Sequence, residues 1–249
     1  MVSSDQRRRQ LAREKYVRQQ QRREEARRRA RRRNTVVAGV VAVVLAAGAA
    51  VYASVRLTDG DAKPSDDNTG AAPELTIDRN ASYTMALDTD RGRVTVTMDA
   101  AKTPHTVNSF HHLAGKKYFD GTKCHRLTTD GIFVLQCGDP KGDGTGDPGY
   151  TLPDENLASL GKAGADGKVV YRAGTAAMAN TGQPGTGGSQ FFLVYKDSPL
   201  PPGYTPFGTI DAAGLKVVRD VAAGGVEGGG ADGAPKKGVT IEKATVTKK

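Results

Sequence analysis

The sequence predicts a mainly β fold, an antiparallel barrel, set behind a basic leader and one membrane-spanning helix. Three observations lead there. Short alternating or β-branched segments recur through residues 82–247 between Gly, Pro and Asp clusters, and few stretches there carry a helical pattern. Residues 35–55, TVVAGVVAVVLAAGAAVYASV, run for twenty-one positions without a charge. The charge excess is local: of 36 Lys/Arg and 27 Asp/Glu, residues 1–34 hold fourteen and four, so the rest holds 22 and 23. The basic character belongs to the leader, and the domain behind it is near neutral.

Residues 1–34 contain neither Pro nor Gly and read as helical. Alone, so basic a stretch suggests nucleic-acid binding. The apolar run that follows argues for a bilayer partner instead, with no nucleic acid expected. A bilayer core takes about twenty apolar residues in a helix. Lys/Arg clusters stay cytoplasmic, so the leader faces in and the C-terminal domain faces out. Nothing in residues 35–55 is polar enough to give a buried helix its solvent face. A cleavable signal peptide is the alternative, with Ala47-Gly48-Ala49 as its cleavage site. Signal n-regions are short and their apolar cores shorter than this run, so an uncleaved anchor is expected. Residues 56–77 are polar and broken by Pro64, Gly70 and Pro73, the pattern of a flexible linker. The expected organisation is leader 1–34, span 35–55, linker 56–77 and folded domain 78–249.

The domain opens on residues 82–98, two strands with Val94, Val96 and Met98 alternating after a turn at Asp90-Arg91-Gly92. A helix follows: Thr103 as N-cap, Pro104 at the first helical position, Val107, Phe110 and Leu113 on one face, Gly115 at the end. His105, His111 and His112 lie on it. His111 and His112 are adjacent and diverge by about 100°, so they read as surface residues and no metal site is expected. Residues 122–140, TKCHRLTTDGIFVLQCGDP, form a hairpin turning at Thr129-Asp130-Gly131. Folding it back brings Arg126 to Gln136, a forked donor beside a carboxamide that can orient it. Cys124 and Cys137 sit on the same two arms, near enough to symmetric to be direct cross-strand neighbours: a disulfide on an outward-facing domain, with two buried free thiols as the alternative.

Residues 138–149 are rich in Gly and Asp but lack the spacing of a calcium loop and any following helix for a phosphate. They read as a structural loop. Residues 174–195 run from small residues through Met178-Ala179-Asn180 and a Gly/Pro loop into a strand with Gln190-Phe191-Phe192. Residues 198–208 are a Pro-dense loop entering a short strand. Residues 215–221 are a second helix with Leu215, Val218 and Val221 inward. Residues 224–238 are a loose Gly-rich connection, and residues 240–247 alternate as a closing strand.

The pieces YFDGTKCHRL, GIFVLQCGDP, GTGDPGY, GTAAMANTG, GSQFFL and YTPFG, in this order, resemble the cyclophilin family of peptidyl-prolyl isomerases from about residue 82 to 246. The resemblance implies an eight-stranded antiparallel barrel closed by two helices, with Val107, Phe110 and Leu113 plugging one end. It assigns Arg126 as the catalytic donor to the proline nitrogen and Gln136 as the residue orienting it. It assigns Phe133, Phe192 and Leu200 to the proline pocket and the Asn180 main chain to peptide binding. His125, Val134, Gly144, Ala179, Thr181, Gln190 and Tyr204 fall at matching groove positions. Val134 stands where Met is common, Pro199 where many members carry Trp, and Tyr204 where His is frequent. These departures bear on binding of the immunosuppressant cyclosporin more than on catalysis.

The resulting expectation is a monomeric, membrane-anchored isomerase, without cofactor, acting on proline-containing unfolded or exported polypeptides outside the cytoplasmic membrane. The alternative is an anchored proline-peptide binding module or scaffold with little turnover.

Overall fold

The computed structural model describes residues 70–249. The leader, the expected span and residues 56–69 of the expected linker lie outside the described residues. Within them, no helix is long and apolar enough to cross a membrane.

β1 (Ser82–Thr89) and β2 (Gly92–Asp99) form an antiparallel hairpin with Thr89 opposite Gly92. Tyr83, Met85, Leu87, Val94, Val96 and Met98 are buried and their neighbours are not, the period of two that fixes which face meets the core. The tight connection demands a positive φ, and Gly92 supplies it at 124°.

The first helix, α1 (Pro104–Gly115), buries Val107, Phe110 and Leu113. Phe110 stacks against Phe119 and Phe207 at centroid distances of 5.4 and 4.9 Å. Thr103 holds the N-cap position, but its side chain does not cap. Its hydroxyl donates back to the Asp99 carbonyl, 2.8 Å away. The Glu155 carboxylate caps instead, accepting from the His105 and Thr106 amides at 3.0 and 2.9 Å, where it also suits the helix dipole. The second helix, α2 (Ala212–Ala222), is capped by Asp211, which accepts from the Gly214 amide at 2.7 Å. It buries Val218 and Val221 and half-buries Leu215. A Cβ on Gly214 would lie 3.0 Å from the Val94 Cα, so glycine lets α2 settle on β2.

The remaining strands of the main sheet are β3 (Arg126–Thr128), β4 (Val134–Cys137), β6 (Thr175–Met178), β7 (Phe191–Val194), β9 (Pro206–Ile210), β10 (Asp232–Gly233) and β11 (Ile241–Lys248). Their order is β10-β3-β4-β7-β6-β9-β2-β1-β11, a curled antiparallel sheet. Its two ends approach through backbone bonds just ahead of β3: Gly121 N to Ile241 O at 2.7 Å, Ile241 N to Thr122 O at 2.8 Å, and Cys124 N to Val239 O at 3.0 Å.

Three expectations are corrected. The sheet has nine strands in an open order instead of eight in a barrel, because the Gly-rich connection contributes β10 as an edge. The Pro-dense loop contains a strand, β8 (Ser198–Leu200), which pairs with β5 (Val169–Tyr171) in a separate two-stranded sheet. Residues 70–77, assigned to the linker, are tied to the domain. Gly70 N donates to Gly149 O at 2.9 Å, and Thr76 N to the Asn108 side chain at 3.0 Å. The Asn108 amide donates to the Pro73 and Glu74 carbonyls at 3.1 and 2.9 Å.

Candidate active site

One row of residues crosses four strands. Arg126 of β3 registers with Gln136 of β4, Gln136 with Phe192 of β7, and Phe192 with Ala177 of β6. Residues in register share a face of the sheet. The opposite face sends Leu127, Leu135, Cys137, Phe191 and Leu193 into the main core. The row therefore lies on the outer face, where Val134 and Val194 flank it and join Val169, Tyr171 and Leu200 in a second apolar cluster. Phe192 and Leu200 are 5 and 8% exposed. Tyr204 packs on this cluster with its ring 5.5 Å from Phe192 at 82°. The Tyr171 hydroxyl pins that loop, donating to the Tyr204 carbonyl at 2.9 Å and accepting from its amide at 3.1 Å. Burial pushes the Tyr171 phenol up to about 12, so it stays a neutral donor at ordinary pH.

A polar chain begins where the apolar cluster ends. Arg126 Nη1 donates to Gln136 Oε1 at 3.3 Å, and Gln136 Nε2 donates to Gln190 Oε1 at 2.8 Å. Gln190 Nε2 donates to the Gly144 and Gly146 carbonyls, both at 2.9 Å. On its other side Arg126 meets Asp232 of β10 in a bidentate pair, Nε to Oδ1 and Nη2 to Oδ2, each 2.7 Å. The guanidinium beside Asp232 holds that carboxyl below the usual carboxylate range, and Asp232 raises the Arg126 pKa further. The donor is therefore permanently charged.

Gln136, Gly144, Ala179, Asn180, Thr181 and Gln190 line one cavity of about 270 Å³ beside the row. Gly146 crosses its floor so closely to Asp139 and Pro140 that a side chain there has no room. Asp139 is fully buried and organises that loop, its carboxylate accepting from the Lys141, Asp143 and Gly144 amides. Asn180 ties the cavity to the Tyr204 loop, its Nδ2 donating to the Gly203 carbonyl at 2.8 Å.

One expected groove residue stands elsewhere, and a second, His125, lies behind Gly144 with its ring turned inward. Phe133 packs against the main core, with its ring 5.9 Å from Tyr195 and the Lys196 ammonium 4.2 Å from its centroid. Ile132, one residue earlier, packs against the Phe192–Leu200 cluster in its place. Val134 opens β4 facing that cluster, so Phe133 beside it faces the main core, and Ile132 reaches the cluster from the bend before the strand. His125 is turned away from solvent: both ring nitrogens are buried without a hydrogen-bond partner. Burial, with a smaller push from Arg126, lowers its pKa against the opposing pull of Asp139 and Asp143, which favours the neutral ring. Cys124 and Cys137 are joined in a disulfide with their Cα atoms 4.0 Å apart. Lys123 bridges to Asp139 and Arg126 to Gln136, so the two cysteines are one residue out of direct opposition.

Asp232, Tyr171 and Ile132 are the site residues that sequence reading missed. Only Ile132 had a signal, the apolar position beside Phe133 in a strand whose facing was undetermined.

Residues 84–246 match the model of the family described as cyclophilin type peptidyl-prolyl cis-trans isomerase/CLD. A probable peptidyl-prolyl cis-trans isomerase B of Mycobacterium leprae is 49% identical over 171 residues, covering 65% of this chain and 56% of that one. One from Mycobacterium tuberculosis is 49% identical over 165 residues, covering 65% and 53%. The match thus spans little more than half the length of these relatives. A Synechococcus elongatus peptidyl-prolyl cis-trans isomerase is 36% identical over 140 residues, covering 55% of this chain and 88% of its own. A Cryptosporidium parvum cyclophilin type isomerase crystal structure shares the fold, with a TM-score of 0.55 at 24% identity over 67% of this chain and 98% of its own. A second structure of that protein, in the presence of the dipeptide Ala-Pro, gives a TM-score of 0.53 at 24% identity over 66% and 98%. With a curled sheet and two α-helices among the described residues and a family match over residues 84–246, this chain belongs to the cyclophilin family of peptidyl-prolyl cis-trans isomerases.

Proposed function

We propose that the chain is a peptidyl-prolyl isomerase that accelerates X-Pro isomerisation in polypeptides folding at the outer face of the cytoplasmic membrane. The observation that carries the reading is the row Arg126–Gln136–Phe192, a cationic donor set beside an apolar cluster on the same face of the sheet. The reaction breaks no covalent bond. Its barrier of about 18–20 kcal/mol is the lost amide resonance. As the amide twists, the proline nitrogen lone pair localises and can accept a hydrogen bond that the planar ground state cannot. A donor that meets it only then lowers the barrier selectively. Arg126 supplies that donor without proton transfer, since its charge is permanent. The apolar cluster of Phe192, Leu200, Val134 and Ile132 receives the proline ring and keeps water from the twisting bond. Gln136 and the Asn180 main chain hold the flanking peptide.

Isomerisation of a short X-Pro peptide by the detergent-solubilised full chain tests the activity. No rate above the uncatalysed one, with the peptide still bound, favours the binding-module reading.

The anchor and the address rest on the sequence alone: the uncharged residues 35–55 behind a leader of fourteen basic residues. In this reading the domain works as a monomer on the outer face, and its partners are exported chains carrying proline. Protease added to intact spheroplasts is expected to release the domain and spare the leader. Loss of the leader instead reverses the topology, and a mature N-terminus near Ala50 means a cleaved signal.

A further inference from the structure

Isomerisation as derived above uses Arg126 and Gln136 but gives no task to the carboxylate clamped on Arg126. We propose that Asp232 is a positioning residue, holding the Arg126 guanidinium in the one orientation that presents its free edge to the substrate. The proposal rests on the isomerase reading and adds to it a residue from the far end of the chain.

A guanidinium carries five N–H bonds in a rigid plane. Asp232 takes two of them, on Nε and Nη2, and Gln136 takes one on Nη1. One N–H on Nη1 and one on Nη2 remain, on the edge away from the Asp232 carboxylate. The bidentate pair fixes the plane and rotation of the group, which a single bond to Gln136 of 3.3 Å cannot do alone. Arg126 is 40% exposed at its side chain, so packing does not hold it either.

Asp232 is itself firmly placed. β10 pairs with β3, Asp232 opposite Thr128, two residues from Arg126 and so on the same face of the ladder. The Thr129 amide donates to the Ala231 carbonyl at 2.8 Å, anchoring the residue before it. The surrounding stretch, residues 224–233, is GGVEGGGADG, and Glu227 and Asp232 are its only ionisable side chains. A segment with so few side chains, brought to the strand that carries Arg126, delivers a carboxylate and little else. At 40 and 56% exposure the pair contributes little to folding. Orientation is what it can supply.

The experiment uses the detergent-solubilised full chain as wild type, Asp232→Asn, Asp232→Ala, Arg126→Ala and the Arg126→Ala/Asp232→Ala double variant. Isomerisation of an X-Pro peptide gives kcat and KM, thermal unfolding gives Tm, and the arginine Nε–H NMR resonances report the guanidinium. In Asp232→Ala we expect kcat to fall about five- to tenfold with KM nearly unchanged, less than removing the donor itself because the guanidinium remains and only its orientation is lost. Asp232→Asn, which keeps one acceptor, falls between. Tm holds, the Arg126 Nε–H resonance is lost or broadened, and Asp232→Ala adds nothing once Arg126 is alanine. A wild-type or faster Asp232→Ala enzyme overturns the proposal, the faster one because it means the carboxylate damps the donor. So does a kcat loss that persists in the Arg126→Ala background. If the wild-type chain isomerises nothing, the isomerase reading fails by itself. The positioning claim is then decided by the resonance, and an unchanged Arg126 signal in Asp232→Ala ends it.

Discussion

Replacing Arg126 by alanine is expected to separate catalysis from folding in this domain. The side chain donates to Gln136 and Asp232 and, in the proposed reaction, to the proline nitrogen of the twisted bond. Removing one charged donor costs about 1.5–3 kcal/mol where the hydrogen bond is made. A fully dry site would cost more, but Arg126 is 40% exposed, which argues for this range. At about 1.36 kcal/mol per tenfold, kcat/KM is expected to fall roughly ten- to a hundredfold. Stability should barely change. The only ion pair lost is half exposed and contributes about 0–1 kcal/mol. For a domain of this size that is no more than a few degrees in Tm. Lysine should rescue poorly, since an ammonium cannot keep the bidentate pair with Asp232 and present a second edge as well. The assay is X-Pro peptide isomerisation beside thermal unfolding of the same preparation. Near wild-type rates in Arg126→Ala at unchanged Tm would refute the donor mechanism.

Phe192→Ala is expected to destabilise by about 3–5 kcal/mol, because a large buried ring between Tyr171 and Tyr204 leaves a cavity. Urea unfolding measures it, and a loss under about 1 kcal/mol contradicts the packing described. Reducing the Cys124–Cys137 bridge, which closes a loop of thirteen residues, should lower stability by at most about 3 kcal/mol. Complete alkylation of both thiols in the unfolded, unreduced chain would show that the bridge does not form. His125 should make stability pH-dependent: its pKa is lowered on folding from 6.5, so the unfolded chain binds the proton more readily. Stability is then full above about pH 6.5 and declines as pH falls toward the folded value, and His125→Gln should flatten that decline. Burial also lowers the His112 pKa from 6.5, so an unflattened profile in His125→Gln would assign the decline to His112.

Much of this was legible where one face of a strand is dry. Tyr83 to Leu87 and Val94 to Met98 alternate because every second residue meets the core, and that periodicity gives both strands and their turn. Arg126 and Gln136 were legible for a similar reason: counting back from a Gly turn in a hairpin predicts which residues oppose, and the register pairs them. β5 and β8 were not legible. Three residues are too few for a period, and Pro199 in β8 reads as loop from sequence. Phe133 and Ile132 mark the limit of motif matching. A motif places a residue to within one position, while a strand exchanges faces at every position.

Asp232 and Glu155 share one property, that their partners are distant in sequence and their own segments carry no pattern. Asp232 reaches Arg126 across 106 residues from a stretch of glycines. Glu155 caps a helix that starts fifty residues earlier. Such contacts are made by loops, which periodicity cannot describe. The same division explains how the groove accommodates its departures. The row Arg126–Gln136–Phe192 is fixed by ladder register, so changes in residues 199–204 do not shift it. Pro199 and Tyr204 lie on the other side of that division, in the short β8 strand and the loop beyond, held by Tyr171 and Asn180 against the pocket. In the proposed reaction, substitutions there alter what lies over the proline and its neighbours and leave Arg126 where the sheet puts it. Exchanging Tyr204 for histidine should therefore change which peptide is preferred, read as kcat/KM across a series of X-Pro sequences, more than the highest rate in that series.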